Sequence, residues 1–452
     1  MRIHFIAIGG SAMHNLAIAL HLKGDTITGS DDTIFEPSKT RLKKHGLLPN
    51  TFGWHPEKLT SDVDAVILGM HAKADNPELA RAQQLGLKIY SYPEFLYEHA
   101  KNKTRVVIGG SHGKTTITSM ILHVLHYHGK DVDYMVGAQL EGFDVMVRLT
   151  TDNDFMILEG DEYLSSAIDP RPKFHLYQPN IALISGIAWD HINVFPTYTG
   201  YVEQFKVFIE SIINGGALVY NNEDVEVAQL AESTEKQIRK FPYETPVYKV
   251  IEGETLLETP DGDMPIEVFG AHNLSNLAGA KWICQHMGID EDDFYEAIAT
   301  FKGASKRLEK IAASNNAVAY KDFAHSPSKV AATTKAVKEQ YPDHKVLACL
   351  ELHTYSSLNA EFLKEYKGAL DAADEAVVFY SPEAVELKQL DEVSSNQITT
   401  AFQNDQLTVY TNPVEFKQYL MLQDFDNIAL LLMSSGNYGG LNFDEVKEWI
   451  ER

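Results

Sequence analysis

The chain contains very little cysteine and comparatively few basic residues, and both shortages narrow its possible functions. Only Cys284 and Cys349 occur among 452 residues. Two such cysteines form neither a disulfide framework nor a metal cluster, which indicates a reducing cytoplasm. With 39 Lys and Arg against 63 Asp and Glu, the formal net charge is -24. This charge argues against a nucleic-acid binder or an anionic-membrane binder, whereas local sites can still hold small phosphorylated ligands.

Long hydrophobic runs are also missing, because no apolar stretch approaches the roughly 20 residues that a membrane span needs. The first segment, MRIHFIAIGGSAMHNLAIALHLKG, has some of the basic and apolar character of a signal peptide. However, Gly9-Gly10 and His14-Asn15 interrupt its apolar part. We therefore expect a strand, a turn and a helix here, and no contact with a membrane.

Short apolar runs that alternate with helical patterns predict an α/β protein. At roughly 100–200 residues per domain, the length is compatible with two to four domains. We expect three, at residues 1–100, 101–302 and 303–452. We also expect YPEFL to be a loop and YEHAKNKT to be a polar linker between the first two domains. The segment VYKVIEGETLLETPDGDMPIEVFG predicts strands with a Pro-Asp-Gly turn.

The segment IGGSHGKTT, residues 108–116, ends like a phosphate-binding loop but begins differently. The usual loop has a glycine five residues before the glycine of Gly-Lys-Thr, where this chain has Ile108. The remaining glycines permit a tight turn before a helix, whose N-terminus attracts anions. Lys114 would neutralise phosphates, and the hydroxyl of Thr115 would bind Mg²⁺. The segment predicts a nucleotide site; the alternative is a plain glycine-rich turn.

Acidic and imidazole side chains follow two further strands of the same domain. Glu159 ends a strand in ILEGDEY, and Asp190-His191 follows another in ISGIAWDHINVFPT. The carboxyl ends of neighbouring parallel strands open onto one cleft. We therefore expect Glu159 to bind Mg²⁺ and His191 to bind a second Mg²⁺ or to carry a proton. Taken alone, Glu159 would be a solvated acidic turn and His191 a structural histidine.

Polar residues in later segments complete the predicted nucleotide site. In GAHNLSNLAGA, His272, Asn273 and Asn276 share one face of a predicted helix, where they can contact a purine. The alternative is a simple polar helix start. GASKRLEK carries Arg307, and YKDFAHSPSKV carries Asp322 and His325 after a strand. Such strand-end loops in the third domain suggest a mobile lid over ATP.

The N-terminal segment IAIGGSAM, followed about 20 residues later by Ser30-Asp31, resembles a dinucleotide-binding fingerprint. Ala7 stands where that fingerprint has its first glycine. The pattern predicts that a nucleotide-like group binds here and does not specify which one.

Taken together, these motifs resemble the Mur ligase family of ATP-dependent, amide-forming enzymes. GGSHGKTT, LEGDEY, DHINVF, GAHNLSNLAGA, KRLE and DFAHSP occur in the family's order and extend over essentially the whole chain. The family's own loop lacks the early glycine, so Ile108 is expected there. The resemblance implies a Rossmann-like N-terminal domain for a UDP-sugar, a central P-loop domain for ATP, and a Rossmann-like C-terminal domain for the amine substrate.

The resemblance also implies roles for individual residues. The catalytic residues would be Lys114, Glu159 and His191. Mg²⁺ would be held by Thr115, Glu159 and His191. ATP would contact Gly110, Ser111, His112, Gly113, Lys114, Thr115, Thr116, His272, Asn273, Asn276, Arg307 and Asp322. The other substrates would contact Gly9, Gly10, Ser11, Ala12, Met13, Ser30, Asp31, His71 and His325.

Several stretches indicate which reaction of the family to expect. TGSDDTIFEPSKTRLKKHG, GMHAKADNPEL and DEYLSSAIDPRPKFHLYQPN are similar to ligases that join UDP-N-acetylmuramate to the tripeptide L-alanyl-γ-D-glutamyl-meso-diaminopimelate in peptidoglycan recycling. The reaction would proceed through an acyl phosphate, with His191 as one candidate for the base. The ligases that add L-alanine share most motifs and remain the alternative. A monomer or weak dimer is expected, with these small molecules as its partners.

Four positions depart from the family pattern or leave it open. Gly160 and Leu164 differ from the residues favoured in both kinds of ligase. His353 differs from the residue typical of the tripeptide ligases and leans towards the L-alanine ligases. Lys206 lies near the place of a carbamylated, metal-bridging lysine of some members, although an exposed helix lysine is the simpler interpretation.

Two unrelated functions are alternatives to a ligase. A nucleotide switch would not need the N-terminal domain, and an NAD-dependent oxidoreductase would leave the ATP loop unexplained.

Overall fold

The computed structural model describes residues 1–137, 143, 145–305 and 307–451, and its fold is α/β as predicted. The chain divides into two compact units. Unit 1 contains Met1–Ile187, Val202–Tyr243 and Trp282–Ile289, and unit 2 contains Ala188–Tyr201, Glu244–Lys281 and Asp290–Arg452. In the described part of the chain, every helix is too short or too polar to span a bilayer. The predicted domain boundaries stay a prediction.

The N-terminal hundred residues form a parallel sheet of four strands in the order β2-β1-β3-β4. Its strands are β1 (Arg2–Ile6), β2 (Thr26–Ser30), β3 (Ala65–Leu68) and β4 (Ile89–Ser91). Its helices are α1 (Ser11–Leu22), α2 (Ser38–Lys44), α3 (Pro77–Gln84) and α4 (Tyr92–Ala100). This confirms the predicted strand, turn and helix at the start of the chain. Ile6 pairs with Ser30, so the glycine turn after β1 and Asp31 after β2 share one edge.

Helix α4 corrects two expectations, because YPEFL is not a loop and most of YEHAKNKT is not a linker. Ser91 and Glu94 form a capping box: the Glu94 N–H donates to Ser91 Oγ (3.4 Å), and the Ser91 N–H donates to Glu94 Oε2 (2.8 Å). Phe95 and Leu96 are buried on the helix. The signal was present as Ser-x-x-Glu with proline in the first turn. The helix ends at Ala100, so only a short turn joins it to the next strand.

The second sheet of unit 1 has seven strands in the order β11-β10-β9-β5-β8-β6-β7. The strands are β5 (Thr104–Gly109), β6 (Asp133–Met135), β7 (Val147–Arg148), β8 (Phe155–Glu159), β9 (Ile181–Ile184), β10 (Ala217–Asn221) and β11 (Arg239–Tyr243). All its pairings are parallel except that of β6 with β7. The next helices are α5 (Lys114–Tyr127), α6 (Tyr198–Ser211) and α7 (Val225–Ser233). Ile108 pairs with Glu159 and Gly109 with Ile184, so three strand ends meet at the glycine loop.

Unit 2 contains two sheets. The smaller is antiparallel, with β12 (Tyr248–Ile251), β13 (Glu254–Thr259) and β14 (Gly262–Ile266). Thr259 pairs with Gly262 across Pro260-Asp261, which confirms the predicted turn. The larger sheet has the order β15-β16-β20-β17-β18-β19 and is parallel apart from β15. Its strands are β15 (Glu309–Ala313), β16 (Ala317–Asp322), β17 (Lys345–Glu351), β18 (Glu375–Phe379), β19 (Thr408–Tyr410) and β20 (Ile428–Met433).

The larger sheet is covered on both faces, as its apolar strands require. Val346, Ala348 and Leu350 of β17 belong to one buried cluster, and Leu347 and Cys349 belong to another. The remaining helices are α8 (Ala271–His286), α9 (Glu291–Ile298), α10 (Pro327–Gln340), α11 (Pro382–Leu387), α12 (Ser395–Phe402), α13 (Pro413–Met421) and α14 (Phe443–Glu451). The buried clusters on the two faces of this sheet support the edge at which its polar strand ends lie.

Candidate nucleotide and substrate sites

The glycine loop after β5 is a backbone turn that the neighbouring strand end braces. Gly110 has φ 135°, and a Cβ built there would lie 2.0 Å from Ser185 Oγ. Ser185 Oγ donates a hydrogen bond to the carbonyl oxygen of His112. The N–H of Ser111 donates to the carbonyl oxygen of Gly186 at 2.9 Å. Only glycine fits at position 110, and the residues that follow β9 hold the loop in shape. Ser185 was not predicted, although it directly follows β9, the strand next to β5.

The start of α5 has the chemistry of an anion site. Gly113 precedes the helix with φ 80° and supplies no side-chain cap. The first N–H groups of a helix carry partial positive charge and can donate hydrogen bonds to a phosphate. The ammonium group of Lys114 adds a full positive charge at the same point. A tight glycine cradle with a lysine at a helix start fits nucleotide phosphates.

Lys114 is already engaged by two oxygen atoms. Its Nζ donates to the carbonyl oxygen of Gly110 at 2.5 Å and to Glu162 Oε2 at 2.6 Å. Burial favours a lower pKa for Lys114, but the charges of Glu162 and Asp161 and the hydrogen bond to Glu162 outweigh it and raise that pKa. Lys114 is therefore a cation. Glu162 belongs to the motif ILEGDEY, and no role was predicted for it.

The predicted metal ligands of unit 1 do come together. Thr115 Oγ1 donates to Glu159 Oε1 at 2.8 Å, and the N–H of Gly137 donates to Glu159 Oε2 at 2.9 Å. A hydroxyl and a carboxylate beside a phosphate site are oxygen ligands that suit Mg²⁺, which usually keeps several waters. Within the described ranges, no group of three or more His, Cys, Asp and Glu residues is arranged to hold a metal. The pair Thr115 and Glu159 thus fits Mg²⁺ as a partial ligand set, and its metal role stays a prediction.

The N-terminal turn brings together the residues predicted to bind a nucleotide-like group. The N–H of Gly9 donates to Asp31 Oδ2 at 2.7 Å. Ala7 has φ 66°, so it adopts the left-handed backbone that a glycine would favour at this position. Burial chiefly raises the pKa of Asp31; the Gly9 N–H opposes this, and Asp32 adds to it. His71, in contrast, is exposed on the turn after β3. The substrate roles of Gly9 to Met13, Ser30, Asp31 and His71 stay predictions.

In unit 2, His325 and Asp190 lie in one polar cluster. Asp190 Oδ2 is 4.0 Å from His325 Nε2 and 3.7 Å from Lys329 Nζ, and Asp190 Oδ1 accepts the His191 N–H at 2.7 Å. Burial favours a higher pKa for Asp190, yet the charges of Lys329, His191 and His325 lower it to about 2. Burial is the largest cause that lowers the pKa of His325 to about 4. Lys329 was not predicted, although it lies four residues after His325, in the first turn of α10.

His191 has φ 55°, a left-handed conformation that is uncommon for histidine. Such strained backbone is often found at functional sites. The conformation is compatible with the predicted role of His191, which itself stays a prediction.

Arg307 precedes β15 and Asp322 ends β16, the antiparallel neighbour of β15 in the larger sheet of unit 2. Asp322 Oδ2 accepts the Leu308 N–H and Asp322 Oδ1 accepts the Ala324 N–H, both at 2.6 Å. Burial is the main reason why the pKa of Asp322 is raised, and Arg307 partly offsets it. The guanidinium carbon of Arg307 lies 4.9 Å from the centre of the Phe323 ring. Asp322 therefore organises the backbone around Arg307, and the nucleotide contacts of both residues stay predictions.

The predicted purine-contacting residues lie at the start of α8, as expected from the helical pattern. Burial lowers the pKa of His272 to about 4, so its imidazole is neutral near pH 7. Asn273 Nδ2 donates to the carbonyl oxygen of Phe269 at 3.0 Å, and Asn273 and Asn276 are buried. The helix assignment is confirmed, and contact with a purine stays a prediction.

Lys206 and His353 are two of the positions that depart from the family pattern or leave it open, and both have simple environments. The side chain of Lys206 is 58% exposed and lies 3.4 Å from Glu203 Oε1, so it fits an ordinary helix lysine better than a metal-bridging one. His353 Nδ1 is 3.7 Å from Glu351 Oε1, and Glu351 is buried.

Comparisons with known proteins agree with these motifs. Residues 2–104 match the description "Mur ligase family, catalytic domain", and residues 108–284 match "Mur ligase middle domain". The chain is 32% identical over 384 residues to a UDP-N-acetylmuramate–L-alanine ligase of Sulfurihydrogenibium sp., covering 83% of this chain and 82% of the relative. It is 27% identical over 457 residues to the UDP-N-acetylmuramate–L-alanyl-γ-D-glutamyl-meso-2,6-diaminoheptandioate ligase of Haemophilus influenzae, covering 97% of each.

Two solved structures share the fold over nearly the full length. A murein peptide ligase from Psychrobacter arcticus has a TM-score of 0.67 at 20% identity and covers 100% of this chain and 99% of its own. A UDP-N-acetylmuramate–alanine ligase from Thermotoga maritima has a TM-score of 0.70, also at 20% identity, and covers 100% and 98%.

Proposed function

Because this chain belongs to the Mur ligase family, we propose that it joins UDP-N-acetylmuramate to the tripeptide L-alanyl-γ-D-glutamyl-meso-diaminopimelate. The protein is an ATP-dependent ligase that forms a C–N bond, with the three-domain α/β architecture of its family, and it uses ATP and Mg²⁺.

The observation that carries the catalytic part of the proposal is the loop at residues 108–116. Lys114, Thr115 and Glu159 lie together at the start of α5, where a phosphate would contact the lysine and the helix N–H groups. Mg²⁺ held by Thr115 and Glu159 would supply neutralisation of phosphate charge. Positioning and such electrostatic stabilisation account for most of the catalysis of phosphoryl transfer.

The proposed reaction has two steps. The lactyl carboxylate of UDP-N-acetylmuramate attacks the γ-phosphorus of ATP, ADP leaves, and an acyl phosphate forms. The neutral amine of the tripeptide then attacks the acyl carbon, so that inorganic phosphate leaves and the amide bond forms. The amine must lose a proton, and His191 is our candidate for the base that accepts it.

The tripeptide is favoured by the stretches at residues 28–46, 69–79 and 161–180, which resemble the tripeptide ligases. The alternative, addition of free L-alanine, is favoured by the higher identity of 32% to an L-alanine ligase and by His353. Identity to the tripeptide ligases of Haemophilus influenzae and Escherichia coli is 27% and 26%.

The test offers the purified protein ATP, Mg²⁺ and UDP-N-acetylmuramate together with equal concentrations of L-alanine and tripeptide. Mass spectrometry of the products should show the tripeptide adduct as the main species. A product that carries one alanine would overturn the tripeptide assignment in favour of the alternative. ADP should form slowly until both the UDP-sugar and an amine are present. ADP formation at the same rate with and without the UDP-sugar would contradict the ligase mechanism itself.

A further inference from the structure

Lys114, the cation predicted to contact the nucleotide phosphates, is paired with the buried carboxylate of Glu162. Lys114 Nζ lies 2.6 Å from Glu162 Oε2, and the side chains of the two residues are 13% and 1% exposed. The same ammonium group donates to the carbonyl oxygen of Gly110 inside the loop. An entering phosphate would therefore compete with Glu162 for the same positive charge, because a lysine ammonium is a single, compact cation.

Three carboxylates, one at the end of β8 and two just after it, have different partners. Glu159 accepts from the hydroxyl of Thr115, and Asp161 Oδ2 lies 2.5 Å from Lys173 Nζ. Glu162 is the one that contacts Lys114. Of the three, Glu162 is thus in direct competition with phosphate for the loop lysine, whereas Asp161 acts on Lys114 through space.

We propose that Glu162 is a positioning residue: it holds Lys114 in the glycine loop before nucleotide binds, and the phosphates of ATP displace it. The inference rests on the nucleotide-binding role of the loop. Pairing keeps the lysine oriented across the loop, towards the Gly110 carbonyl. Separating a buried pair leaves a poorly solvated carboxylate behind, which opposes binding. Glu162 therefore weakens nucleotide affinity while it keeps the loop in shape.

The variant Glu162→Gln tests this exchange without relying on turnover. Glutamine has nearly the same shape and can still accept a hydrogen bond, but it carries no charge. Calorimetry with a non-hydrolysable ATP analogue and Mg²⁺, in the absence of the UDP-sugar, should show binding about tenfold tighter, which is about 1.4 kcal/mol. Glu162→Asp keeps the charge but reaches one methylene less, so its affinity should lie between those of the wild type and Glu162→Gln.

Asp161→Asn is the matched control, because it removes a neighbouring negative charge that is paired with Lys173 instead. Its nucleotide affinity should change by less than about twofold, since long-range effects of partly exposed charges are screened. Equal tightening in Asp161→Asn and Glu162→Gln would overturn the proposal in favour of a general field effect. Unchanged or weaker binding in a folded Glu162→Gln protein would overturn it as well.

Two further measurements separate failure of this inference from failure of the nucleotide site. Thermal unfolding of each variant establishes that it is folded, and Glu162→Asp carries the test if Glu162→Gln does not fold. Lys114→Met should lose most of its affinity for the analogue. Wild-type affinity in Lys114→Met would contradict the loop assignment itself, whatever the result at Glu162.

Discussion

The hydroxyl of Thr115 donates a 2.8 Å hydrogen bond to Oε1 of Glu159, although 44 residues separate them. Thr115 is the second residue of α5, and Glu159 is the last residue of β8, the strand beside β5. Because both lie at the carboxyl edge of one parallel sheet, a carboxylate and a hydroxyl meet beside the glycine loop. This contact places two of the three predicted metal ligands, Thr115 and Glu159, next to the predicted phosphate site.

Removal of the loop cation should stop catalysis and spare the sugar site. In Lys114→Ala, the rate of ADP formation should fall at least about a hundredfold, because the positive charge next to the transferred phosphoryl group is lost. Binding of UDP-N-acetylmuramate, measured by calorimetry, should change little. Wild-type turnover in this variant would rule out Lys114 as the phosphate-binding lysine.

Substitution of Glu159, the carboxylate partner of Thr115, should raise the Mg²⁺ concentration that activity requires. Glu159→Gln keeps the size of the side chain but removes its charge, so the Mg²⁺ concentration for half-maximal activity should rise at least about tenfold. A titration of initial rate against Mg²⁺ measures this shift. An unaltered Mg²⁺ dependence with reduced activity would instead indicate that Glu159 only orders Thr115 and Gly137.

The backbone of the loop should tolerate no side chain at position 110. In Gly110→Ala, the Cβ would meet Ser185 Oγ at 2.0 Å, and φ would be 135°. We expect a loss of about 3 kcal/mol in the free energy of unfolding, from the overlap and the backbone strain together. Gly129→Ala is the matched control: φ is 66° there, no atom lies within 4 Å of the added Cβ, and about 1 kcal/mol is expected. Equal losses in urea unfolding would contradict the clash.

A buried aspartate should make unit 1 sensitive to acid. Asp133 is fully buried and accepts hydrogen bonds from His99, Lys103, Thr150 and Asn153. Although burial opposes ionisation, the hydrogen bonds from His99, Thr150 and Lys103 lower the pKa of Asp133 to about 2.

Because this pKa is lowered on folding, the stabilisation is fully present above pH 4 and is lost as the pH falls towards 2. It amounts to about 2 kcal/mol. Urea unfolding between pH 2 and pH 6 should therefore show a steeper loss of stability in the wild type than in Asp133→Asn, which should already be destabilised at pH 6. Parallel pH profiles for the two proteins would contradict this assignment.

Local patterns in the sequence were enough to predict the α/β class, the glycine loop with Lys114, and the strand ends that carry Glu159 and Asp31. These predictions rest on strand and helix periodicity and on turn chemistry, which neighbouring residues determine. The expectation of a loop and a linker is wrong at α4, because the capping box of Ser91 and Glu94 starts a helix there despite the polar composition of YEHAKNKT. The local signal for that helix is Ser-x-x-Glu with a proline in its first turn.

The sequence by itself determined which residue types stand at each strand end, since alternation of apolar strands and helices is encoded locally. Only the tertiary structure decided which of those residues touch. The pairing of Lys114 with Glu162 rather than with Asp161, and the support of the loop by Ser185, join residues 48 and 73 positions apart. Such contacts depend on strand order, burial and the reach of individual side chains, which no local pattern contains.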